Sequence, residues 1–145
     1  MRLEVLSNSV AETLTIAKIF TKALNKGDIV LLNGDLGAGK THFAKGMAEG
    51  LNIKETVTSP TFTIMNAYFG GVLPFYHLDM YRIENEDEVF ELGLEDFVFG
   101  VGGITAIEWN RYSDFRGKRV FEALIERVGD EKRKISIKQT ASAKL

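Results

Sequence analysis

A four-residue aliphatic run, a glycine-rich turn and an amphipathic helix follow one another in residues 29–51, and they restrict the possible folds more than any other part of the sequence. The run IVLL at 29–32 is the continuous apolar stretch expected of a strand buried on both faces. The turn GDLGAGKT at 34–41 matches the pattern G-x-x-x-x-G-K-[ST]. Apolar residues then recur at helical spacing between Phe43 and Leu51. The pattern therefore stands in the strand–loop–helix context that a phosphate-binding loop requires.

Residues 34–41, called the phosphate loop below, contain the residue types that suit the binding of a nucleotide phosphate. Glycine allows backbone conformations that a Cβ forbids and lets the chain approach an anion closely. Successive N–H groups then point at the phosphates, beside the positive end of the following helix dipole. Lys40 places a charge at the β- and γ-phosphates, and the Thr41 hydroxyl binds Mg²⁺. The predicted phosphate-binding residues are Asp35, Leu36, Gly37, Ala38, Gly39, Lys40, Thr41 and His42.

Two acidic residues come directly after apolar runs that have the character of buried strands. Asp79 follows FYHL at 75–78, and Glu108 follows ITAI at 104–107. Parallel strands beside the strand of the phosphate loop bring such ends to one edge of the sheet, where ligands bind in open α/β folds. We predict that Asp79 binds the magnesium ion through water, because magnesium keeps much of its hydration. Glu108 then completes the metal shell or orients the attacking water; the alternative for either acid is a structural cap at a strand end.

A second nucleotide-related pattern, N-K-x-D, occurs at 25–28, and by itself it would indicate guanine recognition. Asp28, however, begins the strand that carries the phosphate loop at its far end. Six extended residues span about 20 Å, so the pattern is expected at the opposite edge of the sheet from the phosphates. We therefore interpret 25–28 as a segment that ends a helix, with Gly27 as the stop signal. This leaves ATP with Mg²⁺ as the predicted ligand.

The remaining apolar periodicity predicts an α/β protein with a three-layer P-loop NTPase fold. We expect a mainly parallel central sheet with helices on both faces and an antiparallel portion formed by a hairpin around Gly70-Gly71. A short helix is predicted around 87–92, and a second hairpin is predicted from 119–128 and 134–138. His77 is interpreted as a half-buried packing residue. Trp109 is interpreted as either a core residue or an exposed contact residue.

The length and composition favour one cytoplasmic domain spanning residues 1–145, with the last few residues frayed. No apolar run approaches the roughly 20 residues that a membrane span needs, the N-terminus does not resemble a secretion signal, and there is no cysteine. Residues 1–110 carry eight Lys or Arg against 15 Asp or Glu, whereas residues 111–145 carry ten against five. The basic end is suited either to RNA or an acidic partner, or to an ordinary solvated surface with interspersed acids.

Four motifs in this order and at this spacing resemble the bacterial TsaE family, the P-loop ATPase of the tRNA threonylcarbamoyladenosine modification machinery. They are the phosphate loop, TSPTFT at 58–63, YHLDMYR at 76–82 and IEW at 107–109. The resemblance extends from about Ser7 to Trp109, and the C-terminal hairpin matches only loosely. It implies that Asp79 and Glu108 are the acids on the metal side of the site, in agreement with their positions at strand ends.

The resemblance also implies roles that the residue patterns alone do not give. Thr61 belongs to a switch-like loop whose hydroxyl senses the γ-phosphate, and Glu12 and Thr13 contact the adenine. His42 departs from the family pattern, which has a second threonine there, so one hydroxyl contact to the α-phosphate is lost while the backbone N–H remains. The implied partner is the heterodimer that transfers the threonylcarbamoyl group to adenosine of tRNA, with tRNA met indirectly or through the basic C-terminal region, and no DNA or membrane is implied.

The predicted activity is slow, magnesium-dependent ATP hydrolysis that acts as a conformational switch, with Lys40, Glu108 and Thr61 as the catalytic residues. Arg82 is the one internal arginine expected near the site, because residues 1–110 contain only Arg2 and Arg82. If Arg82 does not reach the γ-phosphate, the transition-state charge is poorly neutralised and a partner must organise the site. Two alternatives stay open: a P-loop kinase with its own small substrate, and an interaction module that binds ATP without hydrolysing it.

Overall fold

The computed structural model describes residues 2–140, so the predicted fraying of the last few residues concerns positions outside the described part. Within this range, strands and helices alternate for most of the chain. In chain order they are β1 (Arg2–Ser7), α1 (Val10–Lys22), β2 (Ile29–Asn33), α2 (Lys40–Gly50), β3 (Met65–Tyr68), β4 (Phe75–Asp79), α3 (Asp87–Glu91), α4 (Glu95–Val98), β5 (Ile104–Glu108), β6 (Val120–Arg127) and β7 (Arg133–Thr140).

All the described strands belong to one sheet of order β1-β7-β6-β2-β5-β4-β3. The four central strands β6, β2, β5 and β4 are parallel to their neighbours. Antiparallel pairs flank them on both sides, β1–β7–β6 at one edge and β3–β4 at the other. The prediction of a parallel centre is confirmed, and the sheet has two antiparallel regions: the β3–β4 hairpin forms one, and the β6–β7 hairpin extended by β1 forms the other.

The sheet is covered on both faces, which explains the uninterrupted apolar run in β2. Val30 and Leu32 belong to the core beneath α1 and α2, together with Phe43 and Met47. The alternate residues of the strand, Ile29 and Leu31, belong to a second core on the opposite face. Alternate strand residues point to opposite faces, so a strand buried on both sides needs an apolar residue at each position. The three-layer arrangement predicted from the sequence is therefore confirmed.

Helix α2, which begins inside the phosphate loop, is held by an unusually close contact with α1. A Cβ on Gly46 would lie 2.5 Å from the Leu14 carbonyl oxygen, and a Cβ on Gly50 would lie 2.8 Å from that of Lys18. The two helices can therefore approach to backbone contact only because glycine occupies both positions. This contact fixes the position of the helix whose N-terminus lies in the phosphate loop.

The structure differs from the sequence-based expectation in two local details. Helix α1 ends at Lys22, before Gly27, and Gly27 (φ +93°) serves instead in the turn into β2. Residues 95–98 form α4, which was not predicted because four residues are too few to show a helical period.

The guanine-type pattern at 25–28 lies at the amino end of β2, away from the phosphate loop at its carboxyl end. There the Asp28 carboxylate accepts two hydrogen bonds from Arg119, at 3.0 and 2.7 Å, and one from the Asn25 N–H at 2.7 Å. A buried aspartate with these partners anchors the loop before β6, and it is not available to a base.

Candidate functional site

The phosphate loop crosses the carboxyl end of β2 in a conformation that depends on glycine. Gly34 and Gly39 have φ values of +151° and +110°, a region that residues with a Cβ rarely adopt. At Gly34 the restriction is also steric, because a Cβ would lie 2.5 Å from the Ile125 carbonyl oxygen of β6. The glycine pattern of the motif is thus explained by a bent backbone pressed against a neighbouring strand.

The loop presents backbone N–H groups that have no acceptor. Ala38 N–H donates to Asp35 O at 3.0 Å, and Phe43 N–H donates to Gly39 O at 3.0 Å. Among the described residues, the N–H groups of Gly37, Gly39 and Lys40 donate to nothing. Exposed donors at the start of a helix form an anion-binding site, reinforced by the helix dipole. The loop therefore offers donors of the kind that suit the oxygens of a phosphate.

The Lys40 ammonium lies at the centre of the site. Its Nζ donates to Gly34 O at 2.7 Å and lies 3.6 Å from the centroid of the Trp109 ring. Burial lowers the pKa of Lys40 because a charged amine loses hydration there, while the nearby Glu108, Asp79 and Asp35 carboxylates act in the opposite direction. The lysine is held against the loop by an oxygen and an aromatic face, both of which attract a cation.

Asp79 and Glu108 lie side by side, as the strand-end argument predicted. They are paired residues in the register of the parallel strands β4 and β5, and only 5% and 4% of their surfaces are exposed. The Tyr81 N–H donates to Asp79 Oδ1 at 2.9 Å, and the Thr61 hydroxyl lies 3.4 Å from Asp79 Oδ2. The predicted residues of three separate motifs therefore meet around one carboxylate.

These residues line one cavity of about 230 Å³. Most of the predicted site residues border it. From the prediction, the cavity brings together Leu36, Gly37, Gly39, Lys40, Thr41, His42, Thr61, Asp79 and Glu108. Asp35 and Ala38 belong to the phosphate loop but do not line this cavity. They line a separate cleft between the phosphate loop and β6.

The predicted adenine contacts, Glu12 and Thr13, do not line this cavity. The Thr13 hydroxyl is buried and lies 2.7 Å from the Ser7 hydroxyl. The Glu12 N–H donates to the Ser9 side chain, and the Glu12 carboxylate accepts from Asn8, so Glu12 takes part in capping α1. The geometry gives both residues structural roles, and their contact with a base stays a prediction.

His77 is the clearest site residue that sequence reasoning missed. Expected as half-buried packing, it is fully buried, and its Nε2 lies 2.6 Å from Glu108 Oε2. Its Nδ1 has no partner among the described residues, so the ring holds the carboxylate through Nε2. The partners lie on different strands, 31 residues apart, and spacing along the chain gives no signal of such a contact. The effect is to fix the orientation of Glu108 at the cavity wall.

Trp109 is neither a core residue nor a fully exposed contact residue, because it lies in the wall of the cavity. It is partly buried at the cavity, it adopts a φ of +54°, and its ring packs edge-on to Tyr81 at a centroid distance of 5.1 Å. A positive φ in a non-glycine residue is strained and is found where the surroundings enforce it. Here it turns the indole over the Lys40 ammonium.

The arginine that lines the cavity is Arg133, whereas Arg82, which was expected near the site, is not among the lining residues. Arg82 is exposed, with its guanidinium carbon 5.9 Å from the centroid of the Phe62 ring. Arg133 lines the cavity from β7, and its Nε donates to Ala38 O at 2.6 Å. Sequence reasoning missed it because it follows the loop by more than 90 residues and belongs to a hairpin that matched no motif.

No group of three or more His, Cys, Asp or Glu side chains within residues 2–140 is arranged to hold a metal ion. A magnesium ion bound beside a nucleotide does not need such a group, because it takes one or two carboxylates together with phosphate oxygens and water. The Thr41 hydroxyl and the Asp79 and Glu108 carboxylates border one cavity and offer the oxygen ligands that magnesium prefers. The residues present therefore fit the ion. In the same range, no helix is both long and apolar enough to cross a bilayer.

Comparison with known proteins decides the family. The sequence model described as "Threonylcarbamoyl adenosine biosynthesis protein TsaE" matches residues 7–141. The chain belongs to the TsaE family. The resemblance inferred from the four motifs is thereby confirmed, and it extends beyond Trp109 into the C-terminal hairpin.

Individual TsaE proteins match most of the chain. The tRNA threonylcarbamoyladenosine biosynthesis protein TsaE of Bacillus subtilis (strain 168) is 45% identical over 126 residues, or 86% of this chain and 78% of the relative. The protein of the same name from Treponema pallidum (strain Nichols) is 40% identical over 120 residues, or 83% of this chain and 82% of the relative. The crystal structure of Bacillus subtilis YdiB has a TM-score of 0.78 at 35% identity, covering 97% of this chain and 87% of YdiB.

The contact between Lys40 and Trp109 provides a direct test of the anion site. Trp109 is the only tryptophan in the sequence, so its fluorescence reports on the ammonium above its ring. We expect pyrophosphate to draw Lys40 away from the indole and to change the emission intensity in a saturable way. Lys40→Met should abolish the response, whereas Lys45→Met, which removes a charge from the same helix away from the cavity, should retain it. Unchanged wild-type emission at millimolar pyrophosphate would contradict the site.

Proposed function

We propose that this chain is a magnesium-dependent ATPase that serves as an accessory subunit in the formation of threonylcarbamoyladenosine in tRNA. In this role it binds ATP, hydrolyses it slowly in the cytoplasm and acts as a nucleotide switch on the threonylcarbamoyl-transferase heterodimer. Membership of the TsaE family supports participation in this pathway. The finer steps rest on the geometry of the site.

One observation carries the proposal: donors for phosphate oxygens and ligands for magnesium meet in a single cavity at the carboxyl edge of the sheet. The loop amides and Lys40 bind anions, whereas Thr41 and Asp79 bind a hard cation. A cavity that carried only the first set would suit any anion. The two sets together favour a nucleotide that is bound as its magnesium complex.

The remaining residues suggest how hydrolysis is organised. Bound magnesium neutralises charge on the phosphates and polarises the terminal group. Glu108 is held at the cavity wall by His77, and we assign to it the role of orienting the attacking water molecule. Thr61 lies 3.4 Å from Asp79, where its hydroxyl can respond to a terminal phosphate and thereby couple the loop at 58–63 to the state of the nucleotide.

The small number of cationic side chains that line the cavity supports slow turnover in the isolated chain. Of the cationic side chains in the described residues, Lys40 and Arg133 line it, and Arg133 already donates to four backbone carbonyls. Transition-state charge on the transferred phosphoryl group is then poorly neutralised. In other P-loop enzymes, an additional cation supplied by a partner raises the turnover rate by several orders of magnitude. Leu36 (88% exposed) lines the cavity, and Phe62 (85% exposed) directly follows Thr61 in the chain; both offer apolar surface for such a partner.

The basic C-terminal region gives little direct support for tRNA contact. Lys134 lies 3.6 Å from Glu4, and Lys138 lies 3.5 Å from Glu122. Charges paired in this way are partly neutralised toward a polyanion. We therefore place the tRNA on the partner complex and give this chain an indirect role.

The two other readings lead to different measurements. A small-molecule kinase would form ADP only in the presence of its acceptor, and the described residues contain no segment with paired arginines over the cavity, as such a lid would need. An ATP-sensing module would bind MgATP without releasing phosphate, even with its partner. The buried and oriented Glu108 favours the ATPase over this module.

Asp79 provides the test of the metal site. We expect Asp79→Asn to raise the magnesium concentration required for half-maximal ATP binding or turnover by about tenfold, because a neutral amide holds a hydrated divalent cation poorly. Asp87→Asn, an exposed acid on α3, is the matched control and should leave the magnesium dependence unchanged. An identical magnesium titration for wild type and Asp79→Asn would remove Asp79 from the metal site.

The partner provides the test of the switch. The threonylcarbamoyl-transferase heterodimer and this chain should co-purify in the presence of MgATP, and the ATPase rate of the recovered complex should exceed that of the isolated chain by tenfold or more. Lys40→Ala, measured in the same complex, should abolish the gain. High turnover that is equal with and without the heterodimer would refute a partner-dependent site, and ADP formation that requires an added metabolite would identify a kinase.

A further inference from the structure

Arg133 reaches the phosphate loop from the far end of the chain. It is the first residue of β7, opposite Ser7 of β1 and Arg127 of β6 in the sheet register. Its Nη1 lies within 3.4 Å of the carbonyl oxygens of Gly129, Asp130 and Lys132, so the guanidinium is tied to the turn between β6 and β7. A side chain anchored in this way presents its remaining donors in a fixed direction.

The Nε of Arg133 donates to Ala38 O at 2.6 Å. This is a charge-assisted hydrogen bond, shorter and stronger than a bond between neutral groups. It joins the last hairpin of the chain to the middle of the phosphate loop, a connection of 95 residues along the sequence.

The peptide group that accepts this bond also carries the Gly39 N–H. In a planar trans peptide the C=O and the following N–H point in opposite directions. When Arg133 holds the Ala38 carbonyl on its own side, the Gly39 N–H is turned the other way. That N–H has no acceptor among the described residues, and Gly39 borders the cavity that also holds Lys40 and Thr41.

We propose that Arg133 is a positioning residue for the phosphate loop: it fixes the peptide between Ala38 and Gly39 so that the Gly39 amide is directed at a nucleotide phosphate. This inference rests on the proposed binding of ATP. The positive charge also withdraws electron density through the peptide and makes the Gly39 N–H a stronger donor. Preorganised donors of this kind avoid the cost of reorienting the backbone when the anion binds.

The arrangement explains why the chain needs its C-terminal hairpin next to the loop. The φ of +110° at Gly39 is accessible to glycine, but it is one of several conformations that glycine adopts. A fixed hydrogen bond on the carbonyl selects among them. Without it, the loop samples orientations in which the amide turns away from the cavity.

The test uses Arg133→Gln with Lys134→Gln as its matched control. Lys134 is the next residue of the same strand, its nearest acidic partner is Glu4, and it makes no described contact with the phosphate loop. Both variants lose one positive charge at nearly the same place. In ¹⁵N–¹H correlation spectra of the full chain without nucleotide, Arg133→Gln should shift or broaden the Gly39 amide resonance, and Lys134→Gln should leave it in place.

The same samples are then titrated with MgATP. We expect Arg133→Gln to bind about tenfold more weakly than wild type, the effect that loss of a charge-assisted hydrogen bond produces, and Lys134→Gln to bind within about twofold. Wild-type affinity in Arg133→Gln overturns the inference, and so does weaker binding with an unmoved Gly39 resonance, because the arginine would then act through its charge alone.

If Arg133→Gln does not fold, Arg133→Lys replaces it. The same shift of the Gly39 resonance is expected, because a lysine ammonium cannot bond to the loop through one nitrogen and to the β6–β7 turn through another, as Nε and Nη1 of Arg133 do.

Failure of the proposed function gives a different result. Wild-type chain that shows no saturable change with MgATP would refute ATP binding. The Gly39 resonance of the unliganded variants would still decide whether Arg133 orients the loop.

Discussion

Unpaired backbone donors at the carboxyl end of β2 are the constraint on which the rest of the site depends. Main-chain N–H groups are strong donors that are normally paired in a folded protein, and within the described chain the amides of Gly37, Gly39 and Lys40 have no acceptor. The surroundings hold this arrangement in place: β6 presses on Gly34, α1 contacts Gly46, and Arg133 holds the Ala38 carbonyl. The fold thus holds a set of unpaired donors in a fixed arrangement at the phosphate loop.

The parallel centre of the sheet determines where the acids lie. Because β4 and β5 run in the same direction as β2, their carboxyl ends reach the edge at which the phosphate loop begins. Asp79 and Glu108 therefore arrive within the field of Lys40, in surroundings where charges interact more strongly than in water. His77 adds a hydrogen bond that holds Glu108, and Trp109 adds an aromatic face for the lysine. Each of these contacts joins residues from different strands or loops.

The sequence predicts the parts of the site that follow from a local pattern or from the shared direction of neighbouring parallel strands. The phosphate loop follows from its glycines, β2 follows from its continuous apolar run, and the meeting of Asp79 with Glu108 follows from their positions after buried strands. Contacts that depend on register or on the rotamer of a long side chain could not be predicted. The His77–Glu108 pair requires the alignment of β4 with β5, and the reach of Arg133 to Ala38 requires the position of the last hairpin relative to the loop. The helix α4 is too short to leave a periodic signal, and the proposed adenine contacts of Glu12 and Thr13 came from resemblance rather than from any physical pattern.

The central claim is that a bent backbone beside an ammonium group binds the triphosphate of ATP as its magnesium complex. Isothermal titration calorimetry of the isolated wild-type chain with MgATP tests it most directly, since the measurement requires neither partner nor turnover. The account predicts a saturable heat with a stoichiometry near one, which is lost when Lys40 is replaced by alanine. A flat titration for the wild-type chain at millimolar MgATP, or equal heats for the two proteins, would contradict it.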